Sequence, residues 1–309
     1  MGILSVLHLL CATSAFALPP VNEVTVYAHR GASAYAPENT LAAFRLAVEM
    51  GAPWVEIDCS LTKDGHVVVM HDLTVDRTTN GKGLIRDHTL AQLRELDAGS
   101  WKDAKFAGER VPTLAEALSF LKGKARVLIE IKSMGGDQSD LMARIRGLAG
   151  EDRLVGRQRR EALELISASQ SPDLALTRKV VEGIRSCGME HDVVIQSFSA
   201  VICLIAGADG GRIPVAILAS CEREDDRKWE NLLREGRIIG VDAFNLQWNS
   251  VTRDRISQIH RLRKKTACWT VDKANVGAEI LDFGVDGIIT NRPDVLVKLI
   301  ASRKTDAIS

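Results

Sequence analysis

The chain has 309 residues, 46% of them apolar, and its 40 basic residues are balanced by 40 acidic ones. This is enough apolar material for one large α/β domain or two small ones. The zero formal net charge excludes a global field that would draw the chain to nucleic acid or an anionic membrane, so any attraction for an anion must be local to a site.

The N-terminus carries an apolar run over residues 3–12, followed by Ala15-Phe16-Ala17, the small-x-small form of a signal-peptidase site. Residues 1–17 therefore read as a cleaved export signal, which would send the chain to the periplasm or outside the cell. The run lacks a basic flank, is interrupted by His8, and is shorter than the ~20 apolar residues of a membrane span. Leu10 stands where a lipid-attachment signal at Cys11 would want a small residue. Cysteines at 11, 59, 187, 203, 221 and 268 become five once the signal is removed. With no Cys-x-x-Cys pair they speak against a zinc site or a dense disulfide framework. Cys59 and Cys268 read as small core residues, while Cys187, Cys203 and Cys221 leave room for one bridge.

Residues 24–28 form a short apolar run that reads as a buried strand and ends in Tyr27-Ala-His-Arg-Gly31. A helix then starts near Asn39 or Thr40, either of which could cap it, and Gly51 closes it. A second strand over 54–57 delivers Glu56-Ile-Asp58. Residues 60–111 break the alternation: Asp64-Gly65 makes a hairpin, 67–70 is a second apolar run ending at His71-Asp72, and the polar remainder reads as an insertion over the mouth of the fold. Thr113-Leu-Ala-Glu116 is a capping box that leads to a third strand over 127–131, carrying Glu130-Ile-Lys132. Between 135 and 191 the spacing predicts helices at 139–148 and 174–184, with the charged run 151–164 as a solvated helix face. Further apolar runs at 193–198, 213–218, 241–246, 266–271 and 285–290 bring the core strands to eight, the arithmetic of a (β/α)8 TIM barrel.

In such a barrel the active site lies at the C-terminal strand ends, where His29, Arg30, Glu56, Asp58, Glu130, Lys132, Trp269 and Asn291 all fall. Side chains two apart on a strand share a face, so Glu56 joins Asp58 and Glu130 joins Lys132. Buried carboxylates cost several kcal/mol each unless paired or bound to metal. The pattern therefore asks for a cation, and His29 with Arg30 beside it points to an anionic substrate.

The motifs His29-Arg-Gly31, Pro37-Glu-Asn-Thr40, Glu56-Ile-Asp58, His71-Asp72, Asp97-Ala-Gly-Ser-Trp101, Pro112-Thr-Leu114, Glu130-Ile-Lys132, Ser197-Phe198, Trp269-Thr-Val271 and Asp286-Gly-Ile-Ile-Thr290 resemble, in order and spacing, those of the glycerophosphodiester phosphodiesterases. The resemblance spans roughly 24–298, within a barrel domain read as 24–300, with the long 135–191 segment as a departure. It implies a (β/α)8 barrel with an inserted subdomain at about 60–111, and hydrolysis of a small-molecule glycerophosphodiester to an alcohol and sn-glycerol 3-phosphate. It also implies a divalent ion held by Glu56, Asp58 and Glu130, and an acid–base pair in His29 and His71. An all-carboxylate donor set suits Ca²⁺ or Mg²⁺. Arg30 and Lys132 would hold phosphate oxygens, Trp269 and Phe198 could line the glycerol or headgroup pocket, and Glu38 and Asn39 could orient the His29 loop. His66, His88, His191 and His260 read as surface residues. A two-carboxylate glycosidase on the same barrel would leave both histidines and both cations without a task, and a non-catalytic phosphodiester-binding protein would have no use for the histidines.

Overall fold

The structure, a computed structural model, describes residues 24–306 apart from positions 135, 137, 151 and 152 and the side chains of 304–306. The export signal expected at 1–17 lies outside the described residues.

The chain runs β1 (Thr25–His29), α1 (Leu41–Glu49), β2 (Trp54–Leu61), β3 (Val67–Val69), α2 (Leu90–Glu95), α3 (Leu114–Leu121), β4 (Arg126–Ile131), α4 (Ser139–Ala149), α5 (Gly156–Ala168), α6 (Pro172–Ser186), β5 (Val193–Ser197), α7 (Ala200–Asp209), β6 (Val215–Ala219), α8 (Asp226–Ile239), β7 (Ala243–Gln247), α9 (Arg253–Arg261), β8 (Lys265–Trp269), α10 (Ala274–Asp282), β9 (Gly287–Thr290) and α11 (Pro293–Asp306). All strands but β3 pair in parallel, and β1 closes the ring by pairing with both β2 and β9. The result is the expected (β/α)8 barrel. β3 returns antiparallel on the far half of β2, with Cys59 opposite Val69.

Each barrel strand is buried on both faces. Outward residues such as Val26, Val55, Ile57, Ile129 and Ile195 join the helices in one apolar core. The 60–111 segment has a small core of its own, with Val68, Met70, Val75, Ile85, Leu93, Ala98 and Val111. It is tied to the loop after β1 by Lys102 Nζ, which donates to the Ser33 carbonyl at 2.8 Å. No helix among the described residues is long and apolar enough to cross a membrane.

Four details decide or refine what the sequence left open. The α1 cap is Thr40, whose side chain accepts from Ala43 N–H, which leaves Asn39 free for other work. Among the described residues three helices lie between β4 and β5: α4 and α6 match the two read from spacing, and α5 overlaps the charged run 151–164 read as a solvated helix face but runs on to Ala168, burying Ala162 and Ile166. Cysteines 59, 187, 203, 221 and 268 are all free thiols, so no bridge forms among Cys187, Cys203 and Cys221. His260 is also more than a surface residue, because its Nε2 pairs with Asp286 at 2.9 Å alongside Lys265.

Candidate active site

The two-residue strand period builds the site in layers. One residue from each barrel strand, Tyr27, Trp54, Leu128, Val194, Ala216, Ala243, Ala267 and Ile289, forms a buried apolar plug. Two residues further along come His29, Glu56, Glu130, Gln196, Leu218, Asn245, Trp269 and Asn291, so an apolar floor carries a largely polar layer. Asp58 lies one more step along β2.

Glu56, Asp58 and Glu130 are buried, and a carboxylate oxygen of each lies within 4.8 Å of the others. Arg30 Nε stands 3.2 Å from Asp58 Oδ2, while Lys132 Nζ is 2.9 Å from Asp58 Oδ1 and 2.5 Å from Glu130 Oε1. Asn39 Nδ2 donates to Asp58 Oδ2 at 2.8 Å. Burial, reinforced by the charges of Asp58 and Glu130, pushes the Glu56 carboxyl well above its ordinary range, and burial with Asp58 pushes Glu130 up to about 7. Asp58 behaves oppositely: burial resists its ionisation, but Lys132 and Arg30 outweigh it and hold the group well below the usual carboxylate range.

The donor set fits a divalent cation. Three carboxylates face two cations, which leaves negative charge in excess when all are ionised. Asp58 Oδ1 is buried with the Lys132 ammonium 2.9 Å away, and Lys132 is shared with Glu130, so the two carboxylates divide one positive charge between them. Hard oxygen donors without thiolate or imidazole suit Ca²⁺ or Mg²⁺.

β1 ends in a tight turn in which Arg30 (φ 55°) and Gly31 (φ 81°) both take the left-handed conformation. A Cβ at Gly31 would lie 2.6 Å from the Ala43 carbonyl carbon, so glycine is required there. The turn aims the Arg30 N–H at Glu56 Oε2, 2.9 Å away, and leaves His29 Nε2 4.0 Å from the same oxygen.

Both histidines are held by Nδ1. His29 Nδ1 meets Asn291 Oδ1 at 2.7 Å, and His71 Nδ1 meets Asp72 Oδ1 at 2.7 Å. Each imidazole is near enough for its charge to act on Asp58. Burial, with Arg30 adding to it, lowers the His29 pKa to about 4; burial also lowers that of His71, opposed by Asp58. Trp269 and Phe198 meet edge to face with ring centroids 5.5 Å apart, Phe198 being 52% exposed. Glu38 accepts from Arg30 Nη1 at 2.9 Å. The structure thus brings His29, Arg30, Glu56, Asp58, His71, Glu130 and Lys132 into one cluster, and puts Trp269 beside it with Phe198 on its outer side.

Some residues of this cluster escaped the sequence. Asn245 Oδ1 accepts the Ala267 N–H at 3.2 Å, its Nδ2 donates to Gln196 Oε1 at 2.8 Å, and Gln196 Nε2 points to Glu56 Oε1 at 3.4 Å. Asp272 accepts from both the backbone and the side chain of Asn291. A lone amide at an inward position of an apolar strand was the signal for Gln196 and Asn245. Asp272 gave none.

This constellation, an acid cluster flanked by two imidazoles at the mouth of a (β/α)8 barrel, defines a hydrolase-type site for an anionic substrate. The profile of the glycerophosphoryl diester phosphodiesterase family matches residues 29–295, and the chain belongs to that family. A glycerophosphodiester phosphodiesterase from Caldanaerobacter subterraneus subsp. tengcongensis is 33% identical over 278 residues, covering 89% of this chain and 97% of the relative. One from Bacillus subtilis is 30% identical over 293 residues, covering 91% and 88%. Among solved structures, a phosphodiesterase from Oleispira antarctica in complex with the product sn-glycerol 3-phosphate superposes with a TM-score of 0.69 at 25% identity, covering 90% of this chain and 96% of that one. A glycerophosphodiester phosphodiesterase from Agrobacterium tumefaciens gives 0.66 at 26%, covering 88% and 98%. The protein is an enzyme of this class, a phosphoric diester hydrolase.

Proposed function

We propose that the protein hydrolyses glycerophosphodiesters to an alcohol and sn-glycerol 3-phosphate, using a divalent ion at Glu56, Asp58 and Glu130 and acid–base catalysis by His29 and His71. The observation that carries this reading is the three-carboxylate cluster with His29 Nε2 only 4.0 Å from Glu56. When bound, the ion supplies charge stabilisation at a phosphoryl oxygen. Arg30 offers a planar fork and Lys132 a point charge to the remaining phosphate oxygens.

The two imidazoles differ in their support. His29 is backed by a neutral amide and has its pKa lowered to about 4 by burial, so it is neutral near pH 7, the form that can accept a proton from the attacking oxygen once a bound phosphodiester anion raises its basicity. His71 is less enclosed and is backed by the Asp72 carboxylate, which, with Asp58, opposes the burial that lowers its pKa; of the two imidazoles it is the one better placed to carry a proton to the leaving alcohol. The attacking oxygen is either water or the glycerol 2-hydroxyl, the latter giving a cyclic phosphate that water then opens. An analogue without the 2-hydroxyl separates the routes, since it reacts only by the first. Trp269 and Phe198 would border the glycerol or headgroup, and the export signal read at 1–17 would place the activity in the periplasm or outside the cell.

Phosphorus NMR of the purified protein with a panel of glycerophosphodiesters tests this directly. Time-dependent growth of sn-glycerol 3-phosphate supports it; stable spectra with bound but uncleaved diester would instead mark a binding protein.

A further inference from the structure

One guanidinium in the inserted segment braces the supports of both a histidine and an arginine of the site. Arg77 Nε and Nη2 donate to Asp72 Oδ2 and Oδ1 at 2.7 and 3.0 Å, while Nη1 and Nη2 donate to Glu38 Oε2 and Oε1 at 2.9 and 2.8 Å. These are two forked pairs on two edges of a single planar group, an arrangement that fixes orientation as well as charge.

Each of those carboxylates also holds a site residue. Asp72 Oδ1 meets His71 Nδ1 at 2.7 Å, and Glu38 Oε1 accepts from Arg30 Nη1 at 2.9 Å, with Arg30 Nε in turn 3.2 Å from Asp58. The chain of contacts therefore runs His71, Asp72, Arg77, Glu38, Arg30, Asp58, and Arg77 is its middle member. Glu38 sits in the loop after β1, whereas Asp72 and Arg77 belong to the segment after β3. The guanidinium thus joins the insertion to the barrel at the point where two site residues depend on it.

We propose that Arg77 is a positioning residue: by clamping Asp72 and Glu38 in one plane it sets His71 and Arg30 in register, so that the inserted segment completes the catalytic arrangement. The proposal rests on the hydrolytic reading given above. Hydrogen bonds from Arg77 are the largest cause holding the Asp72 carboxyl down at about 2, which keeps Asp72 an acceptor for the His71 N–H. Arg77 is 45% exposed in its side chain, and exposed ion pairs contribute little to stability. A purely structural role would therefore leave turnover nearly untouched. Lysine keeps the charge but cannot make two forks.

The test compares the full-length wild type with Arg77→Met and Arg77→Lys on glycerophosphoethanolamine, alongside Ca²⁺ and Mg²⁺ binding by calorimetry and thermal melting. Misplacement of reacting groups by about 1 Å costs roughly 10²-fold, so Arg77→Met should lose about 10- to 100-fold in kcat while metal affinity and melting temperature stay at wild-type values. Arg77→Lys should recover only part of the loss, and added guanidinium ion, far below denaturing concentration, should raise kcat of Arg77→Met but not of the wild type. Wild-type kcat in either variant would overturn the proposal, as would a loss matched by an equal loss of folded or metal-binding protein. A wild type that leaves the diester intact would instead bring down the hydrolytic reading itself.

Discussion

Asn291 Oδ1 lies 2.7 Å from His29 Nδ1, and the orientation of that amide is fixed by its own partner. Asn291 Nδ2 donates to Asp272 Oδ2 at 2.8 Å, and the Asn291 N–H donates to Asp272 Oδ1 at 2.8 Å. An ionised carboxylate can only accept, so the amide oxygen must face the imidazole and His29 carries its proton on Nδ1. Its Nε2 lone pair is then directed to the acid cluster, where a base is wanted. Replacing Asp272 with alanine frees the amide to turn. The expected outcome is a fall in kcat of roughly 10- to 100-fold with metal affinity retained, read from steady-state kinetics beside calorimetry; unchanged kcat would show that the amide needs no support.

Metal binding should depend on pH in a defined direction. Burial raises Glu130 from its ordinary 4.5 to about 7 and raises Glu56 as well, so without metal the folded protein binds more protons here than the unfolded chain. The stability linked to that protonation is fully present below about 4.5 and lost as pH rises through about 7. A divalent ion needs the ionised forms, so its binding competes with those protons. The rise in melting temperature caused by Ca²⁺ or Mg²⁺ should be larger at pH 8 than at pH 5. An equal rise at both would place the ion elsewhere.

Gln196 and Asn245 should matter to the ion without touching the substrate. The backbone N–H of Ala267 fixes the direction of the chain, because a donor there forces Asn245 Oδ1 toward it and its Nδ2 toward Gln196. Gln196→Leu should weaken metal binding by about 10- to 100-fold. It should also destabilise the protein by ~1–3 kcal/mol, through the unpaired Asn245 amide. Calorimetry and denaturant melts check both, and wild-type metal affinity would reduce this chain of amides to core packing.

His29→Ala and His71→Ala should each lower kcat by at least ~10²-fold, while leaving the three carboxylates able to bind metal. Near-normal turnover of either variant at saturating metal would remove that imidazole from the acid–base pair.

Much of this is legible in the sequence because side chains two apart on a short apolar strand share a face, which puts Glu56 with Asp58 and Glu130 with Lys132 on one buried face. The eight core strands emerged from the same signal, displaced by at most two residues at their ends except for β2, which runs four residues past the 54–57 read from its apolar run, to Leu61. What stayed hidden depended on tertiary partners. Nothing local tells that Asn39 serves Asp58 while Thr40 caps the helix, since both are good caps. Arg77 is one exposed arginine in a polar stretch until Glu38 and Asp72 are brought around it. The bounds of α5, though not its presence, were hidden as well, because it opens with Arg157-Gln-Arg-Arg-Glu161, whose solvated face carries no apolar period to mark where the helix starts.

The most direct measurement is turnover of a glycerophosphodiester by the wild type after exhaustive EDTA treatment, then on stepwise addition of Ca²⁺, Mg²⁺ or Mn²⁺, with Glu56→Gln carried in parallel. The expected result is loss of sn-glycerol 3-phosphate release on chelation, recovery with at least one added ion, and little recovery in the variant. Full activity in the chelated wild type would contradict a metal seated among Glu56, Asp58 and Glu130.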